Sequence, residues 1–247
     1  WAKNWNIELA FENLCHAMQW RKSFRVNQLT DDYFPIEFYE LAAIFQYQTD
    51  NHGSPMLFFR ICVHHKIKEL KKFVEEFIVH NFNKIDNLAQ DKQWILIMDS
   101  SNSGLSNLDL DLSRFLTQIL TAYFPKGFKF VVIYDLPWIM STFWKITSSW
   151  ISNEIHHIIK FANKQQIFDY IDAENVPEYI PGGKCTKDIC FVPDGVKSAE
   201  QLPHLKHFTQ EQLNNFRAIF KLPIKQQQQF VGEPENDETK NDDNVKR

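Results

Sequence analysis

An α/β fold, a mixed β-sheet with helices on one face and the other face open, is the class this sequence predicts, and three observations predict it. The apolar run Trp94-Ile95-Leu96-Ile97-Met98 stops at Asp99 and is broken by Ser100-Ser101-Asn102-Ser103-Gly104. A short apolar run bounded by turn chemistry is the mark of a buried central strand. Between it and a second run, Phe130-Val131-Val132-Ile133-Tyr134, the positions Leu108, Leu112, Phe115, Leu116, Ile119, Leu120 and Tyr123 recur at helical spacing, and two buried strands joined by a helix form a crossover with parallel strands. Ahead of this unit, residues 41–47 and 56–63 are β-rich and flank Thr49-Asp50-Asn51-His52-Gly53-Ser54-Pro55, which reads as a hairpin with a longish loop at the sheet edge.

The chain opens with a predicted helix over 4–21, capped by Asn4, with Ile7, Ala10, Phe11, Leu14, Met18 and Trp20 giving an apolar side. Residues 23–40 form a connector in which Thr30-Asp31-Asp32 and Pro35 predict a turn and a short helix. Residues 66–82 are amphipathic. Ile67, Leu70, Phe73, Val74, Phe77 and Ile78 share one face, and Lys68, Lys71, Lys72, Glu75 and Glu76 the other, a solvated one. Pro125 and Gly127 end the central helix.

After Asp135-Leu136-Pro137, residues 138–151 again have helical period. Ile139, Phe143, Ile146 and Trp150 lie in one stripe, with Met140, Trp144 and Ile151 beside it, and the opposite face is only Ser141, Lys145, Ser148 and Ser152. So much aromatic surface fits either a deeply packed core helix or a lid over an apolar cavity that can also lie at a membrane surface. Beyond it, 155–161 is a short strand candidate, 165–171 a helix, and 175–183 a Pro- and Gly-rich terminator. Residues 209–221 predict a further helix with Leu213, Phe216, Ile219 and Phe220 inward and a capping box over 209–212. From Gly232 to Arg247 there is no aromatic residue and one aliphatic, Val245, which is too polar to fold alone.

The strings Met18-Gln19-Trp20-Arg21-Lys22, Met98-Asp99 with the Ser-Asn-Ser-Gly and Asp109-Leu110-Asp111 that follow, Tyr123-Phe124-Pro125-Lys126, Tyr134-Asp135-Leu136-Pro137-Trp138 and Glu174-Asn175-Val176-Pro177-Glu178-Tyr179 occur in an order that resembles the CRAL-TRIO lipid-binding domains. The nearest resemblance is to the CRAL-TRIO domain of the motile sperm domain-containing membrane-tethering proteins, and it covers about residues 5–183. It implies the end of a helical segment over 1–34, a lipid-binding domain over 35–183, an extension over 184–230 and a disordered tail over 231–247. It further implies that the open face of the sheet floors a hydrophobic cavity gated by the 138–151 helix, with Phe115, Leu116, Ile119, Tyr123, Phe143, Trp144, Ile146 and Trp150 touching the lipid. The implied role is non-catalytic binding and transfer or sensing of a lipid at membrane surfaces, cytoplasmic and peripheral, or at the endoplasmic reticulum and its contact sites where the parent protein is anchored. Protein partners through the tail are a further implication. In phosphatidylinositol-binding members a Glu and a Lys hold the inositol phosphate; the matching positions here are Lys126 and Ile158. That pair is missing, which leaves another phospholipid, a sterol-like or retinoid-like ligand, or a degenerate site.

Composition bounds the rest. The chain has 247 residues, 44% of them hydrophobic, with 22 Phe, 7 Trp and a net charge of −4. It can bury one sizeable core, its aromatic excess suits a large apolar interior, and nothing in its charge points to nucleic acid. None of the 7 glycines falls in a phosphate-cradling motif, so no nucleotide or other cofactor is expected. No apolar run approaches the roughly 18 residues that span a bilayer. The start at Trp1, without a charged n-region, reads as an excised fragment without a signal peptide.

Cys185, Cys190, His204 and His207 superficially resemble a zinc set, but their spacings miss the compact patterns and no metal is expected. Together with Cys15 and Cys62 the cysteines read as free thiols. In His64-His65 and in His156-His157 one member is expected packed and the other exposed. Asp99 sits where an α/β enzyme would hold a catalytic residue, yet no nucleophile elbow or motif-placed His accompanies it, and it reads as a turn cap, as does Asp135. The alternative to a lipid carrier is a regulatory, partner-binding module similar to STAS domains. That reading accounts for the centre of the chain but not for the aromatic helix after Pro137.

Overall fold

The computed structural model describes residues 6–124, 127–151, 153–205 and 209. The predicted helix over 209–221 and the tail over 231–247 lie outside these residues, Thr209 apart. The first helix, α1, runs Ile7–Ser23 and is capped by Asn6, whose side chain accepts from the Leu9 N–H. The cap is therefore two residues later than expected, and Asn4 lies outside the described residues. The apolar side of α1 is not a buried one: Ile7, Phe11, Leu14 and Met18 face solvent, and only Ala17 is fully buried. The anchor is its last turn, where Trp20 stacks flat on Tyr123 at 4.0 Å.

A short helix, α2 (Ile36–Glu40), follows the turns of the connector, and then the sheet begins. Strands β1 (Ile44–Thr49) and β2 (Pro55–Arg60) pair antiparallel, and β3 (Trp94–Asp99), β4 (Phe128–Tyr134) and β5 (Ile159–Ala162) follow in parallel, giving the order β1-β2-β3-β4-β5. The sheet is mixed, as the sequence predicts. The hairpin strands are shorter than the β-rich runs, because Ala42 adopts a left-handed backbone and Ile61–Val63 tightens into a 3₁₀ turn.

Sequential strand order with crossovers of one hand places every connecting helix on the same face. On that face α3 (Lys71–Ala89) lays Phe73, Phe77, Ile78, Phe82 and Ile85 against Leu57, Phe59, Trp94 and Leu96, and α4 (Leu110–Gln118) adds Leu112 and Leu116. Helix α3 is seven residues longer at its end than predicted. Glu76, assigned to its solvated face, is buried and accepts from the Tyr33 hydroxyl at 3.1 Å. Helix α4 passes into a π-helical turn, Ile119–Tyr123. The 138–151 segment is a 3₁₀ turn, Trp138–Met140, followed by α5 (Ser141–Ser148), and a further turn of helix, α6 (Asn153–His156), precedes β5. Residues 165–171 form a 3₁₀ turn, Gln166–Asp169, rather than an α-helix.

The opposite face is not open. Phe45, Met56, Phe58, Ile95, Ile97, Val132 and Tyr134 are covered there by Ile167, Ile171, Val176 and Ile180 from the irregular segment after β5. With both faces covered, β3 is an unbroken apolar run rather than an alternating one. The covering segment turns back at Gly183, where an added Cβ would lie 2.2 Å from the Pro177 carbonyl oxygen. Residues 184–205, beyond the family-like strings, also pack on the fold. The Tyr47 hydroxyl donates to the carbonyls of Cys185 and Lys187, and Ala199, Leu202 and Leu205 join the core of the helical face.

Asp99, at the end of β3, joins these layers. It is 1% exposed; Oδ1 accepts from the Ser101 N–H and hydroxyl, and Oδ2 accepts from the Tyr179 hydroxyl at 3.0 Å, with the Arg60 guanidinium 5.1 Å above the Tyr179 ring. Burial raises the Asp99 pKa, and the Ser101 and Tyr179 hydrogen bonds offset this only in part. A raised carboxyl pKa favours folding most below its ordinary value of 3.8, and that contribution is lost as pH rises through the elevated value. Relative to Asp99→Asn, which keeps an acceptor for Ser101, the wild type should therefore lose stability from acid to neutral pH. Urea midpoints of the two proteins across that range test this; a constant gap between them would refute it.

Candidate functional site

Beneath α5 the helical face of the sheet does not close. The cavity there has about 1040 Å³ of unfilled space, its open mouth included. Its floor is Phe59, Met98, Val131, Ile133 and Ile159; one wall is Leu112, Leu116 and Leu120 from α4 and its π turn; the roof is Met140, Phe143, Trp144 and Thr147. Ile61, Ser100 and Leu136 line it just past the ends of β2, β3 and β4, the carboxyl ends at which parallel α/β sheets hold ligands. The cavity thus lies on the helical face and not on the opposite one, which the chain's own later segment fills.

Of the eight residues implied as lipid contacts, Leu116, Phe143 and Trp144 line the cavity. The other five do not. Ile119 is wholly buried in the core, Phe115 packs towards Phe24 and Tyr123 stacks on Trp20. Ile146 is 48% exposed, and Trp150 lies under the Arg114 guanidinium at 5.1 Å. The apolar positions of α4 wrap more than one side of the helix, and only the 112, 116 and 120 row faces inward. Along the 3₁₀ turn and α5 the inward row is Met140, Phe143, Trp144 and Thr147, which leaves Trp138 85% exposed and Ile139 and Ile146 outward.

Sequence reasoning passed over the polar lining. Ser113, Thr117 and Thr121 line the α4 wall at successive turns, and each hydroxyl donates to the carbonyl four residues back, at 2.9, 2.9 and 2.7 Å. Thr147 does the same to Phe143 at 3.2 Å. A hydroxyl that spends its proton on its own helix shows a neighbour little more than a methyl and a lone pair. The repeat of Ser and Thr every fourth residue was the available signal.

Among the described lining residues the titratable groups are His64 and Asp109, which meet at one corner. Asp109 caps α4, Oδ1 accepting from the Asp111 and Leu112 N–H groups, and its Oδ2 lies 3.3 Å from His64 Nε2. Burial works to raise the Asp109 pKa, but the Leu112 and His64 hydrogen bonds outweigh it and hold the carboxyl below its usual range. Burial lowers the His64 pKa, and Asp109 offsets this only in part. The neighbouring Asn107 amide donates to the carbonyls of Cys62 and His64.

The remaining candidates are dispersed. Among the described residues no three His, Cys, Asp or Glu groups gather as a metal set. Cys185 Sγ accepts from the Gln48 amide and the Cys190 thiol donates to the Glu40 carbonyl, while His204 stacks on Tyr33 at 4.6 Å; His207 lies outside the described residues. All four cysteines are free. His64 and His65 are both half-buried and His156 and His157 both exposed, so neither pair divides as expected. Asp135 has a left-handed backbone at the turn after β4. Lys126 lies outside the described residues, and Ile158 packs against the helical-face core.

A mixed sheet with one face sealed by its own chain and the other enclosing an apolar cavity under a short aromatic helix defines a small-ligand-binding α/β domain. The sequence profile of the CRAL/TRIO domain matches residues 39–182, and the chain belongs to that family. It is 21% identical over 187 residues to a CRAL-TRIO domain-containing protein of Schizosaccharomyces pombe, covering 71% of this chain and 42% of that one. It is 24% identical over 211 residues to the phosphatidylinositol transfer protein CSR1 of Eremothecium gossypii, covering 78% and 48%. To the protein real-time of Drosophila pseudoobscura pseudoobscura it is 24% identical over 208 residues, covering 74% and 31%. The chain thus spans less than half the length of these relatives. The crystal structure of Sfh5 shares the fold, with a TM-score of 0.59 at 13% identity over 83% of this chain and 79% of that one.

Because the Thr117 hydroxyl is satisfied by its own helix, Thr117→Val should change stability by no more than about 0.5 kcal/mol and leave uptake of an apolar fluorescent probe intact. Thermal melts and probe titration check both. A marked loss of uptake would mean that the wall hydroxyls are read by the ligand.

Proposed function

We propose that this chain is a non-catalytic carrier that takes one lipid into the cavity under α5 and exchanges it at membrane surfaces. The observation that carries this reading is an apolar cavity under α5 whose helix-wall hydroxyls are bonded to their own helices. Asp99 supports the absence of catalysis, since both its oxygens are occupied by Ser101 and Tyr179 in a buried position. The relative named as a phosphatidylinositol transfer protein adds weight to lipid transfer. The family-like strings extend the reading to a parent protein that tethers membranes, at the endoplasmic reticulum or its contact sites.

The energetics favour exchange over tight holding. A lipid gains roughly 0.8 kcal/mol per methylene withdrawn from water, but it has that gain in a bilayer already. The cavity has only to match the membrane, and the barrier is the movement of the roof. Helix α5 and the 3₁₀ turn before it are two-sided: Phe143 and Trp144 face in, with Trp144 edge-on to Phe161 at 5.2 Å, while Trp138, Ile139 and Ile146 face out. An outward patch of this kind suits shallow insertion among headgroups, and Lys145 is the one basic residue of α5 to attract anionic lipid. Contact with the membrane is therefore brief.

Native mass spectrometry after incubation with liposomes should find one bound lipid, and a chain that stays empty would sink the carrier reading. Trp138→Ala should leave stability within about 0.5 kcal/mol, its side chain being exposed, yet weaken vesicle association and slow fluorescent-lipid transfer. Trp144→Ala should slow transfer by removing roof surface that the lipid would contact inside the cavity. Unchanged transfer in both variants would place the entrance elsewhere.

A further inference from the structure

We propose, resting on the carrier reading, that the lipid held here is uncharged and ends in a hydroxyl, which donates to the Asp109 carboxylate, and that Asp109 turns away lipids bearing a phosphate. The argument is a charge inventory of the lining. Among the described residues that line the cavity there is no Lys and no Arg, and the one carboxylate is Asp109. His64, the other titratable group of the lining, is kept neutral by burial at ordinary pH.

The nearest cation, Lys66, does not line the cavity. It lies outside, half-exposed, 2.8 Å from Asp111 and 3.5 Å from Asp109 Oδ1. The lone pairs of Asp109 divide in the same way. Oδ1 is taken by the Asp111 and Leu112 N–H groups and by Lys66. Among the described residues Oδ2 has His64 alone, so it retains room for one more donor. His64 Nε2 donates to that oxygen, and Ser100 stands at the same strand ends. The corner therefore offers an acceptor with room for a donor, and its described lining residues carry no positive charge.

A lipid hydroxyl supplies what is missing. A phosphate brings only acceptors and a second negative charge into a region shielded from water, where like charges repel strongly.

The test uses one pair of lipids that differ only in the phosphate. The whole chain is incubated with phosphatidylcholine vesicles doped equally with dioleoylglycerol and dioleoyl phosphatidic acid, reisolated, and its bound lipid identified by mass spectrometry. The wild type should carry dioleoylglycerol over phosphatidic acid, and over phosphatidylcholine after correction for abundance, by about tenfold. That is the scale of one unit charge repelling another at ~10 Å in an effective dielectric of about 20. Asp109→Asn removes the charge and keeps a residue equally good at capping α4, so it should fold and lose most of the preference. Asp109→Ser, also a capping residue, serves if the Asn variant does not fold.

Equal or greater recovery of either phospholipid by the wild type would overturn this inference and leave the carrier reading standing. An unchanged ratio in the Asp109 variant would also overturn it. Recovery of no lipid at all would overturn both.

Discussion

The buried carboxylate of Asp99 is the constraint on which the layers depend. It ends the most central strand and would be costly in that position without partners. Its partners come from three places: the turn that follows it, Tyr179 in the covering segment, and the charge of Arg60 at the end of β2. Satisfying one anion thus fixes where the chain after β5 must lie. That position decides which face of the sheet is left for a ligand, since Ile167, Ile171, Val176 and Ile180 fill the other.

On the helical face the constraint is different. Helix α3 seals one half of the sheet with five large apolar side chains, but α4 brings a wall that alternates Leu with Ser and Thr and then widens into a π turn. Hydroxyls bonded back to the preceding turn bend helices, and π turns are frequent at functional sites. A wall of this kind does not pack tightly on the floor, and the short α5 spans the gap. Cavity and packed core are built from the same residue types, and what separates them is how much volume each turn of helix delivers.

Much of this architecture is legible in the residues. The runs at 94–98 and 130–134 and the period between them define the crossover, and Pro55 and the polar loop mark the hairpin. What was not legible follows from physics that one segment cannot carry. Whether the second face stays open depends on 163–190, whose scattered Ile and Val have no period to read. Which side of α4 faces inward depends on helix phase, so Leu116 met the cavity while Phe115, Ile119 and Tyr123 turned to other neighbours. Glu76 reads as a surface charge, because a buried carboxylate is recognisable only by its partner, here Tyr33.

The strand order β1-β2-β3-β4-β5 bears on how the domain comes into being. Every strand pairs with the one made just before it, so on the ribosome the sheet can grow as fast as chain emerges, with no early strand waiting for a distant partner. The covering segment is the exception. Phe58, Ile95, Ile97 and Val132 have no cover until residues 163–185 have been made. Between those two moments the nascent chain shows a broad apolar sheet face, and that interval is when it is most open to aggregation.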